Sequence, residues 1–216
     1  MIGDNYQLKP EYFQTAEELY NAILDYPIPS TSKLVIGIAG ESGSGKTISS
    51  LGLKTVFESK GKRTTVAHMD DFFHLPPASN HQARLEDISR VGVSEVNLAL
   101  LENVINAFRL NSPSVSQPLV NYDLNSISTI TWNANDFEVL IVEGTYTLFL
   151  ENLDVRIFID RDFTETKDDR LARGRDIAND FVEEVLAIEH NIIQQQKSHC
   201  DLCIESNFTI SKPIQA

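Results

Sequence analysis

The residues of this chain whose types and spacing could do chemistry begin with Gly40-Glu41-Ser42-Gly43-Ser44-Gly45-Lys46-Thr47. The run satisfies G-x-x-x-x-G-K-[ST] at every fixed position, the pattern of a loop that binds phosphate. Gly40, Gly43 and Gly45 let the backbone curl until successive N–H groups point at one anion, and Ser42 and Ser44 sit within that curl. A helix that starts at the end of the loop adds its unsatisfied N–H donors and the positive end of its dipole. Lys46 would reach the outer phosphates of a nucleoside triphosphate, and the Thr47 hydroxyl would ligate Mg²⁺. The loop alone does not say whether water or another acceptor takes the phosphoryl group.

Phosphoryl transfer asks a protein for an in-line acceptor, a metal and compensation of charge. Glu143 closes the apolar run from Phe137 to Val142, where a carboxylate would help to hold Mg²⁺ or its waters. Asp70 and Asp71 follow the run Thr64 to Met69. A carboxylate there could accept the proton of an attacking hydroxyl or touch the metal. Adjacent side chains on an extended segment diverge, so one of the pair is expected to face the site, with Asp70 the first choice. Asp71, Phe72 and Phe73 are candidates to wall an acceptor pocket, against the plainer reading of the two rings as core. Arg170, Arg173 and Arg175 are interleaved with Asp168, Asp169 and Asp176. Such a mixture is ordinarily a solvated, salt-bridged helix. Gly174, a poor helix interior and a good hinge, favours a lid whose arginines close on the phosphates.

The elements that must position these residues alternate. Leu34 to Ala39 reads as a buried strand before the loop, and Ile48, Leu51, Leu53, Val56 and Phe57 mark a helix after it. Further strands are expected at Thr64–Met69, Phe137–Val142, Val155–Ile159, Leu202–Ile204 and Phe208–Ile210. Helices are expected at Pro10–Asp25, from Ser94 as N-cap to Phe108, at Thr164–Gly174 and at Phe181–Gln196, with Leu75–Gly92 as loop and Ser112–Pro118 as linker. Leu119–Tyr122 and Ser126–Trp132 suggest a hairpin off the main sheet. The pattern predicts an α/β fold with a doubly wound parallel sheet, whose ligands bind at the carboxyl ends of the strands. One domain is expected over 1–216, with an N-terminal helical extension at 1–30, a hairpin insertion at 112–133 and a lid at 162–180.

The sequence has 216 residues, 42% of them hydrophobic, enough for one ample core. A formal net charge of −13 argues against nucleic acid and anionic membranes as partners and leaves a small-molecule substrate unopposed. No signal peptide or membrane-spanning run is visible, so a cytoplasmic location is expected. Cys200 and Cys203 form a lone C-x-x-C, read as small buried residues rather than a metal or redox pair.

The order GESGSGKT, HMDDFFH, VNYD, VLIVEGTYTLF, DVRIFID and RLARGRD resembles the uridine kinase and phosphoribulokinase family, from about Lys33 to Asp176. The resemblance implies the fold of phosphate-loop nucleoside triphosphate hydrolases and a Mg²⁺-dependent transfer from ATP to a hydroxyl of a small metabolite, often a nucleoside. By position, Asp70 matches the family's catalytic base, Thr47 and Glu143 its magnesium-proximal residues, and Tyr122 a tyrosine beside the acceptor. Arg173 and Arg175 look like its lid arginines, Arg173 on the transferring group and Arg175 on the nucleotide. Kinases of this resemblance often assemble as homo-oligomers. Where uridine kinases usually carry threonine-histidine-serine-arginine after the tyrosine-aspartate pair, this chain has Asn125-Ser126-Ile127-Ser128-Thr129. Another riboside, a sugar or a hydroxy acid is therefore also open as acceptor. The rival class, a nucleotide-dependent switch or ATPase, would release free phosphate. No N-K-x-D run supports a GTPase.

Overall fold

Alternate residues of the central strands are apolar on both sides, so the sheet needs cover on both faces. A computed structural model describes residues 2, 10–27, 33–173 and 179–212 and shows how that cover is supplied. The strands are β1 (Leu34–Gly40), β2 (Thr64–His68), β3 (Val115–Asn121), β4 (Ser126–Trp132), β5 (Val139–Glu143), β6 (Val155–Ile159), β7 (Leu202–Ile204) and β8 (Ile210–Ser211). The helices are α1 (Pro10–Leu24), α2 (Lys46–Ser59), α3 (Pro77–Glu86), α4 (Leu98–Arg109), α5 (Lys167–Arg173) and α6 (Asp180–Ile193).

The main sheet runs β2-β5-β1-β6-β7-β8, and β3 and β4 form a separate antiparallel hairpin. The first five strands are parallel, with Ile36 opposite Ile141 on one side and Val155 on the other. Ile36, Ile38, Val139, Ile141, Ile157 and Ile159 pack against Leu19 and Ile23 of α1 and Leu53 and Phe57 of α2. Val35, Ala39, Leu140, Val142 and Phe158 face the other way, against Leu101, Val104, Ile105 and Phe108 of α4. The expected helical extension thus covers the sheet, with Leu19 and Ile23 fully buried. Helices on both faces of a mostly parallel sheet match the expected class.

The last strand departs from it. β8 pairs antiparallel with β7 and lies at Ile210–Ser211, not Phe208–Ile210. The connection is a tight turn, with Phe208 N donating to Glu205 O and Phe208 at φ 67. A parallel return needs a crossover of a dozen residues or more, and only five separate β7 from β8.

Other differences have local causes. The span expected as loop contains α3, with Pro77 in its first turn, where a missing N–H costs nothing. It buries no residue fully, so it leaves no apolar period in the sequence. The next helix begins at Leu98, because Asn97 rather than Ser94 accepts from the Leu100 N–H. β3 starts inside the expected linker and carries Pro118, which a two-stranded ribbon tolerates because both strands are edges. α5 starts at Lys167, after a turn in which the Asp162 carboxylate accepts from the Thr164 N–H and hydroxyl. Gln194–His199 is a 3₁₀ segment. Cys200 and Cys203 are both buried and unpaired by disulfide, and burial pushes their thiols up to about 11 and about 12. Among the described residues no helix is long and apolar enough to cross a membrane.

Candidate active site

The phosphate loop joins β1 to α2, and its conformation needs glycine. Gly43 and Gly45 hold φ 77 and φ 103, where other residues are strained. A Cβ on Gly43 would also lie 2.6 Å from Arg170 Cγ. Gly45 is the N-cap of α2, so the helix opens directly onto the loop. Ser44 is buried, and its Oγ finds no hydrogen-bond partner among the described residues. Lys46 Nζ donates to the Glu41 carbonyl at 2.9 Å, folding the lysine back across the loop.

The loop is braced from outside. The buried Glu41 carboxylate accepts from the Phe163 N–H (2.8 Å) and from Gln194 (2.8 Å), and lies 2.7 Å from His190 Nδ1. Thr166 Oγ1 donates to the Ser42 carbonyl at 2.8 Å. Arg170, 2% exposed, packs over Gly43 and donates to the Phe163 carbonyl. Of the three sequence-highlighted arginines, Arg170 is the one seen at the loop. Arg175 and the side chain of Arg173 lie outside the described residues.

At the neighbouring strand ends, β2 and β5 place His68 opposite Glu143. His68 Nδ1 lies 2.6 Å from Glu143 Oε1, to which Thr47 Oγ1 donates at 3.2 Å. Burial alone would raise the Glu143 carboxyl. The His68 hydrogen bond and charge, the charge of Lys46 and the Thr47 hydroxyl outweigh it and hold the group below its ordinary range. Burial pulls the other way on His68, yet Glu143 keeps its imidazole above its ordinary value. An ionised carboxylate beside a threonine hydroxyl is a hard oxygen donor set of the kind Mg²⁺ takes alongside phosphates. The unpartnered Ser44 hydroxyl and the left-handed glycines likewise fit a loop built around an anion.

After β2 the chain turns through a 3₁₀ segment, Met69–Phe72. Three residues per turn place positions i and i+3 on one side. Asp70 and Phe73 accordingly line the cavity, while Asp71 and Phe72 are 1% exposed and turn inward. Of the three candidates for an acceptor wall, Phe73 therefore lines the cavity, and Asp71 and Phe72 do not. Asp71 Oδ1 accepts from the Val120 N–H at 2.8 Å, tying the hairpin to the turn, and Phe72 joins the core with Phe108. Tyr122, just beyond β3, donates to Asp70 Oδ2 at 3.3 Å.

The cavity has a volume of about 550 Å³, suited to a small-molecule substrate. Ser42, Gly43, Lys46, Thr47 and Glu143 form its phosphate end, and Asp70, Phe73 and Tyr122 its middle. Gly40, Ser44 and Gly45 shape the loop without lining the cavity. The far walls were not anticipated from sequence. They are Asn80, His81 and Arg84 on α3, and Phe181, Val182, Val185, Leu186 and Glu189 on α6. The i, i+4 and i, i+3 spacing of these residues on each helix is the legible trace of one face, but it resembles any packed helix.

Gly144 is fixed by Met69. A Cβ there would come within 2.2 Å of Met69 Cβ, immediately before Asp70. Gly144→Ala is expected to lower unfolding free energy by about 1–3 kcal/mol, an overpacking cost, and to displace Asp70. Denaturant midpoint and turnover would both fall; an unchanged midpoint would refute the contact.

With this geometry in hand, the comparisons with known proteins are specific. The phosphoribulokinase / uridine kinase family matches residues 35–210, and the chain belongs to that family. Its members transfer phosphate to a hydroxyl group. The bifunctional alpha-galactosidase/sucrose kinase of Mediterraneibacter gnavus is 25% identical over 193 residues, 83% of this chain. The alignment spans only 21% of that longer protein. The uridine kinase of Geobacillus sp. (strain WCH70) is 26% identical over 188 residues, 79% of this chain and 85% of that one. In fold, the chain is similar to a possible uridine kinase from Bacillus stearothermophilus, with a TM-score of 0.61 at 20% identity, covering 89% of this chain and 98% of that one.

Proposed function

We propose that this chain transfers the γ-phosphoryl group of ATP to a hydroxyl of a small metabolite, with Asp70 as the base. The observation that carries the reading is that Asp70 and the Lys46–Thr47 end of the phosphate loop line one cavity. The loop amides and Lys46 hold the phosphates. Thr47 and Glu143, with Asp70 near, would hold Mg²⁺, which would offset the negative charge of the phosphates. Tyr122 orients the Asp70 carboxylate. The acceptor oxygen bonds to the γ-phosphorus as the bond to the β-phosphate oxygen breaks, the hydroxyl proton passes to Asp70, and ADP leaves. Segment 162–180 acts as the lid, bringing Arg173 to the transferring group and Arg175 to the nucleotide. A nucleoside is the leading acceptor, ahead of a sugar or hydroxy acid, and the acidic chain fits a cytoplasmic enzyme, alone or as a homo-oligomer.

The test is product analysis by mass spectrometry after incubation with Mg²⁺-ATP and candidate ribosides, sugars and hydroxy acids. Phosphate is expected on one acceptor class. Free phosphate alone, with every acceptor tried, would overturn the reading in favour of an ATPase.

A further inference from the structure

The acceptor end of the cavity holds a charge cluster that the phosphoryl-transfer chemistry does not use. Arg84 Nε donates to Glu95 Oε1 at 2.7 Å, and its Nη2 donates to Glu95 Oε2 and to Glu189 Oε1, both at 2.8 Å. Glu95 is saturated: Asn80 Nδ2 also donates to its Oε1 (2.9 Å) and the Gly92 N–H to its Oε2 (2.8 Å). Its job is to hold the guanidinium still. Arg84 and Glu189 both line the cavity, with side chains 15% and 12% exposed. Among the described residues, neither Arg84 Nη1 nor Glu189 Oε2 makes a hydrogen bond. Arg84 and Glu189 are thus held together on a cavity whose walls also include Phe73, Asn80, His81, Phe181, Val185 and Leu186.

We infer that Arg84 and Glu189 form the acceptor-reading pair of this site, and that they select an uncharged polyhydroxylated acceptor through neighbouring hydroxyls. The inference rests on the kinase reading above and deepens it. A hydroxyl both accepts and donates, so one hydroxyl, or two on adjacent carbons, satisfies Nη1 and Oε2 together. A carboxylate or phosphate only accepts, and would confront Glu189. Among the described residues, the Arg84 charge is already met by the Glu95 and Glu189 carboxylates, and the Lys46 ammonium donates within the phosphate loop. Burial raises the Glu189 carboxyl, and the charge and hydrogen bond of Arg84 oppose that rise. The rigid fork also explains why arginine stands here: its planar geometry is set by two carboxylates, leaving one edge to read the ligand. A buried polar pair built for hydroxyls strongly rejects an analogue that lacks them, because its groups are then left bare.

The experiment uses the full-length wild type and Arg84→Gln. With Mg²⁺-ATP, kcat/KM is measured for uncharged polyols (uridine, adenosine, fructose, sucrose) and for the anionic D-glycerate and ribulose 5-phosphate. The best neutral acceptor is expected to exceed both anions by about 10²-fold or more. Deoxy analogues of that acceptor should lose at least about tenfold in the wild type, mainly in KM, and much less again in Arg84→Gln, while KM for ATP stays within about threefold. An anion as the preferred acceptor overturns the inference and leaves the kinase standing. Phosphorylation of nothing at all defeats the kinase reading, and this inference with it. Equal deoxy penalties in both proteins overturn the role of Arg84. If Arg84→Gln does not fold, the wild-type charge and deoxy comparisons decide alone.

Discussion

Asp70→Asn is expected to lower kcat by about 10²–10⁴-fold while KM for ATP changes by less than about threefold. The amide has the carboxylate's shape and can still accept from the Tyr122 hydroxyl, which lies 3.3 Å from Oδ2 in the native site. It cannot take the proton of the acceptor. The phosphate loop is carried by a different connection, β1 to α2, so nucleotide binding should survive. Steady-state kinetics with the best acceptor, together with titration of a non-hydrolysable ATP analogue, separates the two quantities. Turnover within about tenfold of wild type would rule out Asp70 as the base.

Lys46→Met should remove about 10²–10³-fold from kcat and weaken ATP as well, which distinguishes it from the first variant. Two effects of the lysine bear on this expectation. Its ammonium bonds the Glu41 carbonyl inside the loop, and its charge is one of those that keep Glu143 ionised. Methionine keeps the length of the stem and loses both. Because the Glu41 carboxylate remains held by Phe163, Gln194 and His190, the fold is expected to persist, and a thermal midpoint close to wild type is the control. Near-normal kcat with a normal thermal midpoint would exclude Lys46 from charge stabilisation.

The phosphate loop and Glu143 were legible because each demands something that sequence records directly: glycine at left-handed positions, and an acid at the end of an apolar run. Asp70 could be ranked above Asp71, but which of them faces the cavity was not legible, since a sequence does not say that the chain leaves β2 as a 3₁₀ turn. That turn, rather than strand alternation, assigns Asp70 and Phe73 to the cavity and Asp71 and Phe72 to the interior. His68 stayed hidden because its partner Glu143 is 75 residues away, and only the order β2-β5-β1 makes them neighbours. The Arg84 cluster is illegible for the same reason, with Glu189 105 residues on. Its helix, α3, also buries too little to leave a hydrophobic period.

The bond from the Val120 N–H to Asp71 links two parts that the sequence keeps 49 residues apart. On one side of that bond is the hairpin whose end carries Tyr122; on the other, a single peptide unit away, is Asp70. The two cannot drift independently. With Asp70 as the proposed base, a molecule too bulky for the site, by levering the ribbon outward, would drag that carboxylate off line, so poor fit and poor reactivity would become one event.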